Sequence, residues 1–213
     1  MTEARKTMVQ EQIKDRGITD PAVLEAMSSV ERHRFVSPAL KHLAYTDQPL
    51  PIAHNQTISQ PFIVAHMTQL LDPQPDDRVL EIGTGCGYQA AVLAEIVSQV
   101  YTIEIIPELA ETARDKLNDL GYGNITVRLG DGYQGWTEHA PFDKIIVTAA
   151  PPTVPEALIK QLKIGGKMVI PVGTTEGFSS QELLLIRKTT DGIEQRSLAP
   201  VRFVPMVPGK TYE

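Results

Sequence analysis

The stretch that most constrains this chain is Arg78-Val79-Leu80-Glu81-Ile82-Gly83-Thr84-Gly85-Cys86-Gly87-Tyr88. It reads as a short buried strand entering a glycine-rich turn, followed by a helix that carries Ala90, Ala91, Leu93, Ala94 and Val97. Glycines at three alternate positions let the backbone turn sharply and leave no Cβ where a ligand must approach. The helix behind such a turn presents unpaired N–H groups. A chain satisfies these demands as the mononucleotide half of a doubly wound α/β sheet, whose ligands bind beyond the carboxyl ends of the strands.

The turn also discriminates among ligands. A dinucleotide fingerprint needs a glycine where Tyr88 stands, and a phosphate-binding loop would end in Gly-Lys-Ser/Thr, which is absent. What is present is Glu-x-Gly-x-Gly-x-Gly, from Glu81 to Gly87. This resembles the first motif of class I S-adenosylmethionine methyltransferases, and the resemblance implies Glu81, Gly83, Thr84 and Gly85 as cofactor-binding residues. The pattern suits a cationic sulfonium with an amino-acid tail, because no pyrophosphate needs neutralising. Two carboxylates follow at the spacing of successive strand tips. Glu104 ends the run Val100-Tyr101-Thr102-Ile103 and is placed to accept from ribose hydroxyls. Asp131, in Gly130-Asp131-Gly132 after Ile125 to Leu129, is placed to accept from an adenine amine, with Gly132 beside it. Either acid alone would read as a solvated turn residue; three strand tips in order make the cofactor reading.

At 213 residues, with 42% hydrophobic and 22% charged residues, the chain is expected to form one soluble domain around a single core. Residues 1–60 read as a helical and loop extension, and 61–213 as the cofactor-binding sheet with C-terminal strands. A net charge of −6 argues against a nucleic-acid partner, which would need a basic face. The lone cysteine, Cys86, excludes an internal disulfide, fits a reducing compartment, and reads as a small packing residue. No apolar run reaches membrane-spanning length, and the charged stretch from Glu3 to Arg16 lacks a signal-peptide core, so a cytoplasmic monomer is expected.

The remaining pattern is a doubly wound, mostly parallel sheet of about seven strands with an N-terminal helical extension. Residues 3–16 form a polar helical arm. Asp20-Pro21 caps a second helix through Val30, and residues 31–61 look irregular. Ser59 or Gln60 opens a helix with Pro61 at its first position and Ile63, Val64, Met67, Leu70 and Leu71 on its apolar face. A helix from Pro107 to Leu120 follows the second strand. Asp143 to Thr148 is a fourth strand, Pro155 to Leu162 a helix, and Lys167 to Val172 a fifth strand. Two more strands cover Gln181 to Lys188 and a stretch ending near Val204, punctuated by Gly177 and the Asp191-Gly192 turn.

The acceptor is narrowed by what is missing. After the fourth strand stands Ala149-Ala150-Pro151-Pro152-Thr153, with no amide or aromatic to hold a nitrogen acceptor. Cys86, inside the cofactor turn, is badly placed as a nucleophile for carbon methylation. The irregular segment carries Leu50-Pro51-Ile52-Ala53-His54-Asn55-Gln56-Thr57-Ile58-Ser59-Gln60-Pro61, which closely resembles the signature of bacterial protein-L-isoaspartate (D-aspartate) O-methyltransferases. The likeness continues through Val79 to Glu95, Gly130 to Gly132, Ala140 to Pro152, Gln161 to Gly173 and Arg202 to Met206, which is nearly everything beyond residue 20.

That resemblance implies a repair enzyme. Aspartyl and asparaginyl residues cyclise to a succinimide that reopens mostly to an isoaspartyl linkage with a free α-carboxylate. The enzyme methylates that carboxylate, the ester re-forms the succinimide, and part of it reopens correctly. By the same resemblance Ser59 is the catalytic candidate, with Thr57, Ile58 and Val204 binding substrate, Val204 through pairing with an extended peptide. On spacing alone Ser59 reads as a helix cap. The chain departs from the family where Ala53 and Asn55 replace loop glycines; Asn55 tolerates a left-handed backbone and Ala53 does so less easily. Phe62 stands where relatives carry an aromatic or His, and His54 and His66 read as loop and helix-surface residues. The rival readings are a methyltransferase acting on another small molecule or RNA, and a cofactor-binding protein without turnover.

Overall fold

The structure, a computed structural model, describes residues 1–174 and 181–209. Gly177 lies outside the described residues. The chain opens with α1 (Thr2–Thr7), which continues through π-helical Met8–Ile13 and a 3₁₀ turn at Lys14–Arg16. Gly17, at φ 96°, ends it in a left-handed cap. The expected polar arm is therefore helical, but it is not detached: Met8 and Ile13 are fully buried against the body. Helix α2 (Pro21–Ser29) starts where Asp20 accepts from the Ala22 and Val23 amides at 2.8 and 3.2 Å, with Pro21 first.

The segment that looked irregular has local order. It makes 3₁₀ turns at Arg32–Arg34 and Pro38–Leu43, then a small antiparallel ladder of β1 (Leu50–Pro51) with β2 (Thr57–Ile58). Its tip is left-handed at His54 (φ 58°) and Asn55 (φ 57°). Ala53 does not share that conformation, so the alanine needs no strain; its carbonyl accepts from Gln56 N–H at 3.2 Å. Helix α3 (Pro61–Leu71) follows with Gln60 as its cap residue and no side-chain capping bond. Ser59 is thus not the helix cap.

The main sheet has the order β5-β4-β3-β6-β7-β8-β9. Its strands are β3 (Arg78–Ile82), β4 (Gln99–Glu104), β5 (Ile125–Leu129), β6 (Phe142–Val147), β7 (Leu162–Val172), β8 (Gln181–Thr189) and β9 (Gly192–Val201). The first five are parallel, and the last two return antiparallel as a hairpin closed beside Asp191-Gly192. Strand β7 starts earlier than the sequence suggests because Leu162 pairs with Phe142 across a register irregularity. Strand β9 stops at Val201, short of Val204, because the Gln181 side chain takes over both backbone groups of Phe203 at 2.5 and 3.0 Å.

Helices α4 (Tyr88–Ala94), α5 (Pro107–Asp119) and α6 (Glu156–Gln161) link the parallel strands. Strand alternation feeds two cores. Val79, Ile146 and Val169 face one, with Val64, Met67 and Leu71 of α3 and Ala90 to Leu93 of α4. Leu80, Ile82, Ile145, Val147, Met168 and Ile170 face the other, with Leu158 of α6. Both faces of the central strands are covered, as parallel strands require, and the strand C-termini are left as the open edge.

Candidate active site

The site is built at that edge, where β3 runs into the glycine turn. Gly83, Gly85 and Gly87 all have positive φ, at 97°, 54° and 88°. Space alone also forbids a side chain at two of the positions singled out from the sequence. A Cβ on Gly83 would meet Thr148 Oγ1 at 2.4 Å, and one on Gly132 would meet Ile82 Cγ2 at 2.3 Å. The turn is hung from the neighbouring strand: Gly83 and Thr84 N–H groups donate to the Ile103 carbonyl at 2.8 and 3.2 Å.

Glu104, at the tip of β4, is nearly buried. Its Oε2 accepts from Gly85 N–H at 2.8 Å, and its Oε1 accepts from Ile105 and Ile106 N–H groups at 2.9 and 3.0 Å. Three backbone donors fix the carboxylate beside the glycine turn, and its oxygens keep lone pairs for further donors. Asp131, past the tip of β5, uses Oδ1 to accept from Tyr133 N–H at 2.8 Å and so shapes the turn carrying Gly132. Gly132 lines the cavity below; Asp131 stands behind it, under Gly209.

Glu81 is placed differently from the sequence expectation. It is fully buried inside β3 and lines neither chamber described below. Its Oε2 accepts from Thr102 Oγ1 at 2.6 Å, Thr102 meets Thr84 Oγ1 at 2.6 Å, and its Oε1 finds no partner among the described residues. Burial pushes its carboxyl up to about 8, the Thr102 hydrogen bond opposes that, and the charge of nearby Glu104 adds to it. Glu81 therefore sits beneath the turn as a support, and Thr84 is the member of its chain that reaches the cavity.

Two chambers adjoin over the turn. The smaller, about 210 Å³, lies over the β4 tip against Ile103 to Ile106, Gly132 and Met206. The larger, about 370 Å³, holds Ser59, Gln60, Thr84, Cys86 and Gln89 among its lining. Thr57, Gly83, Gly85, Thr148 and Val204 border both. Among the described residues, Glu104 is the one charged residue lining the smaller chamber and Arg202 the one lining the larger. Ser59 Oγ has no hydrogen-bond partner among the described residues, so its donor is uncommitted. Ile58 is buried at the chamber wall and Thr57 is exposed beside it.

Val204 is held by its carbonyl, which accepts from Ala150 N–H at 2.8 Å, while Met206 N–H donates to the Ala150 carbonyl at 2.8 Å. Only its N–H is left among the described residues for a further strand. No sequence pattern singles out Thr148, although it directly precedes Ala149-Ala150-Pro151-Pro152. Its role depends on the register between β3 and β6, which puts Val147 beside Ile82. Arg202 appeared there only as part of a resembling segment.

With this geometry established, comparison with known proteins decides the family. Residues 3–211 match the family described as protein-L-isoaspartate(D-aspartate) O-methyltransferase. The chain belongs to that family. A protein-L-isoaspartate O-methyltransferase from Picosynechococcus sp. is 55% identical over 202 residues, covering 95% of this chain and 89% of the relative. One from Gloeobacter violaceus is 54% identical over 206 residues, covering 97% and 100%. Among solved structures, a Plasmodium falciparum chain described as a protein-L-isoaspartate O-methyltransferase in complex with S-adenosyl-L-homocysteine superposes with a TM-score of 0.81 at 26% identity, covering 95% and 98%. The class I methyltransferase fold expected from the strand tips is thus the fold of this isoaspartate methyltransferase family member.

The residues present fit the cofactor of such an enzyme. The glycine turn packs closely on Thr148 and Gly132 on Ile82, and Glu104 presents a carboxylate with free lone pairs to the smaller chamber, the kind of acceptor a hydroxyl-bearing ligand needs. No helix among the described residues is long and apolar enough to cross a membrane.

Proposed function

We propose that this chain transfers a methyl group from S-adenosylmethionine to the free main-chain α-carboxylate of L-isoaspartyl residues in aged proteins and peptides, which starts their repair through a succinimide. One observation carries the reading. A chamber ending on a carboxylate and a chamber ending on a cation and an uncommitted serine hydroxyl meet over one glycine turn.

When bound, S-adenosylmethionine supplies an electrophilic methyl group on a cationic sulfonium. The protein's part is placement. Glu104 accepts from the ribose hydroxyls, and Asp131 holds the turn that presents Gly132 at the adenine end of the smaller chamber. Gly83 and Gly85 permit the backbone to approach closely. In the larger chamber Ser59 donates one hydrogen bond to a carboxylate oxygen and steers the other toward the methyl group. No general base is required, since a carboxylate with a pKa near ~4 is already ionised at neutral pH. Arg202, at the acceptor end of a chain whose net charge is −6, supplies the local attraction for an anionic substrate. Ile58 and Val204 exclude water, and the Val204 N–H is the group that pairs with an extended substrate backbone. The whole chain acts as one catalytic unit, because Thr57 to Ser59 from the N-terminal segment and Val204 from the C-terminal one complete the chambers opened by the sheet.

A labelled-methyl assay tests this. An isoaspartyl peptide should take up label as a base-labile ester, and its aspartyl twin should not. Equal labelling of both peptides, or label that survives base, would overturn the assignment; turnover only with a small molecule or RNA would identify the rival acceptor.

A further inference from the structure

The larger chamber holds a polar group that the methyl transfer described above does not use. Gln89, in the first turn of α4, lines this chamber and is otherwise buried. Its amide cannot be turned end for end. Thr68, fully buried on α3, has one hydroxyl hydrogen and gives it to the Val64 carbonyl at 2.7 Å. Thr68 Oγ1 can then only accept, so the Gln89 amide nitrogen must face it, and does so at 3.0 Å. That fixes the other end of the amide. Gln89 Oε1 has no hydrogen-bond partner among the described residues, yet it is not among the unpaired atoms sealed away from solvent. Gln89 thus offers the chamber an oriented carbonyl oxygen with its lone pairs uncommitted.

A carboxylate has no use for such a group. It takes donors, which Ser59 and Arg202 supply in the same chamber, and a carbonyl oxygen facing it only repels. Gln89 Oε1 suits a donor carried beside the carboxylate on the same ligand. The α-carboxylate of an isoaspartyl residue has such a neighbour, because the carbon that bears it also bears the peptide N–H. The side-chain carboxylate of an ordinary aspartyl residue stands on a methylene, with no nitrogen on that carbon. We infer that Gln89 is a specificity-determining residue whose Oε1 accepts from the isoaspartyl N–H, so that the site reads a carboxylate and its adjacent nitrogen together. An ordinary aspartyl side chain would satisfy the donors and leave the carbonyl unpaired once water is excluded, which is unfavourable. This inference rests on the function proposed above.

The test pairs a change in substrate with a change in protein, and release of S-adenosylhomocysteine is followed throughout. One substrate is an isoaspartyl peptide. The other is its depsipeptide analogue, in which oxygen replaces the isoaspartyl N–H. The wild-type protein should lose about five- to fiftyfold in kcat/KM on the analogue, the effect of leaving a buried acceptor unpaired. Gln89→Met, which removes the carbonyl at similar volume, should lose about as much on the parent peptide and no longer distinguish the two substrates. Its Kd for S-adenosylhomocysteine, read by calorimetry, should match the wild-type value. Equal turnover of both substrates by the wild-type protein would overturn the inference. So would a preference that survives Gln89→Met, since the N–H would then be read elsewhere. A matching loss of S-adenosylhomocysteine affinity in the variant would assign the carbonyl to the cofactor's ammonium group and overturn it as well. Should Gln89→Met not fold, Gln89→Asn, which withdraws the carbonyl by one methylene, takes its place with the same expectations. If the wild-type protein releases no S-adenosylhomocysteine with the isoaspartyl peptide, the proposed function itself fails, a result distinct from an unchanged substrate ratio.

Discussion

Replacing Glu81 with glutamine should change how stability depends on pH. Glu81 is fully buried, its ordinary value is 4.5, and burial pushes it up to about 8 in the folded protein. Below the unfolded value both states hold the proton. As pH rises through the window from 4.5 to about 8, the unfolded chain releases it and the folded chain keeps it. The folded state then binds more protons, so stability falls with pH and the loss is complete above the folded value. The slope is about 1.4 kcal/mol per pH unit, and between about pH 5 and pH 7 the loss from this one group is about 3 kcal/mol. Glutamine does not titrate and keeps an oxygen to accept from Thr102. Its amide donors meet the position where Glu81 Oε1 has no partner, which costs about 1–3 kcal/mol irrespective of pH. The diagnostic is therefore the slope and not the offset. Urea unfolding of the cofactor-free protein, followed by fluorescence of the single, buried Trp136, gives both stabilities across the range. All other titrations are common to the two proteins and cancel. The stability difference should move steadily in favour of glutamine from about pH 5 to about pH 8. A difference that stays flat would refute a protonated Glu81 beneath the turn.

Three further outcomes are expected. Ser59→Ala should lower kcat/KM for an isoaspartyl peptide by about 10- to 100-fold, the worth of a hydrogen bond to a charged group, while cofactor Kd stays put; undiminished turnover would remove Ser59 from the mechanism. Glu104→Ala should raise the Kd for S-adenosylhomocysteine by about 10- to 100-fold in a calorimetric titration, and unchanged binding would mean that the smaller chamber does not hold the ribose. Arg202→Gln should raise KM for the peptide about threefold and flatten its dependence on salt, with kcat little altered. An identical salt dependence in both proteins would show that the guanidinium does not attract the acceptor.

How far the site was legible varied residue by residue. Gly83, Glu104 and Gly132 could be placed together because parallel strands joined by helices bring every strand C-terminus to one edge, whatever the details of packing. Glu81 and Glu104 look alike as acids near strand ends. One turns inward to Thr102 and the other lies at the tip among backbone donors, and only the pairing of β3 with β4 separates them. Ser59 had two readings, cap or acceptor contact, and spacing could not choose. The start of α3 at Pro61 leaves the hydroxyl free of capping. The ladder of β1 with β2 is not legible in the sequence because two-residue strands carry no periodicity.

By itself the sequence determined the order of strands and helices, the glycine turn that only unsubstituted backbone can form, and the signature that marks the family, since these depend on neighbours a few residues apart. Tertiary structure alone decided which carboxylate lines the chambers, that Thr148 closes on Gly83, that Met8 and Ile13 bury the N-terminal helix against the body, and that Ala150 anchors Val204. Each of these joins residues distant in the chain. Their positions follow from strand register and from the packing of two cores, which no local pattern encodes.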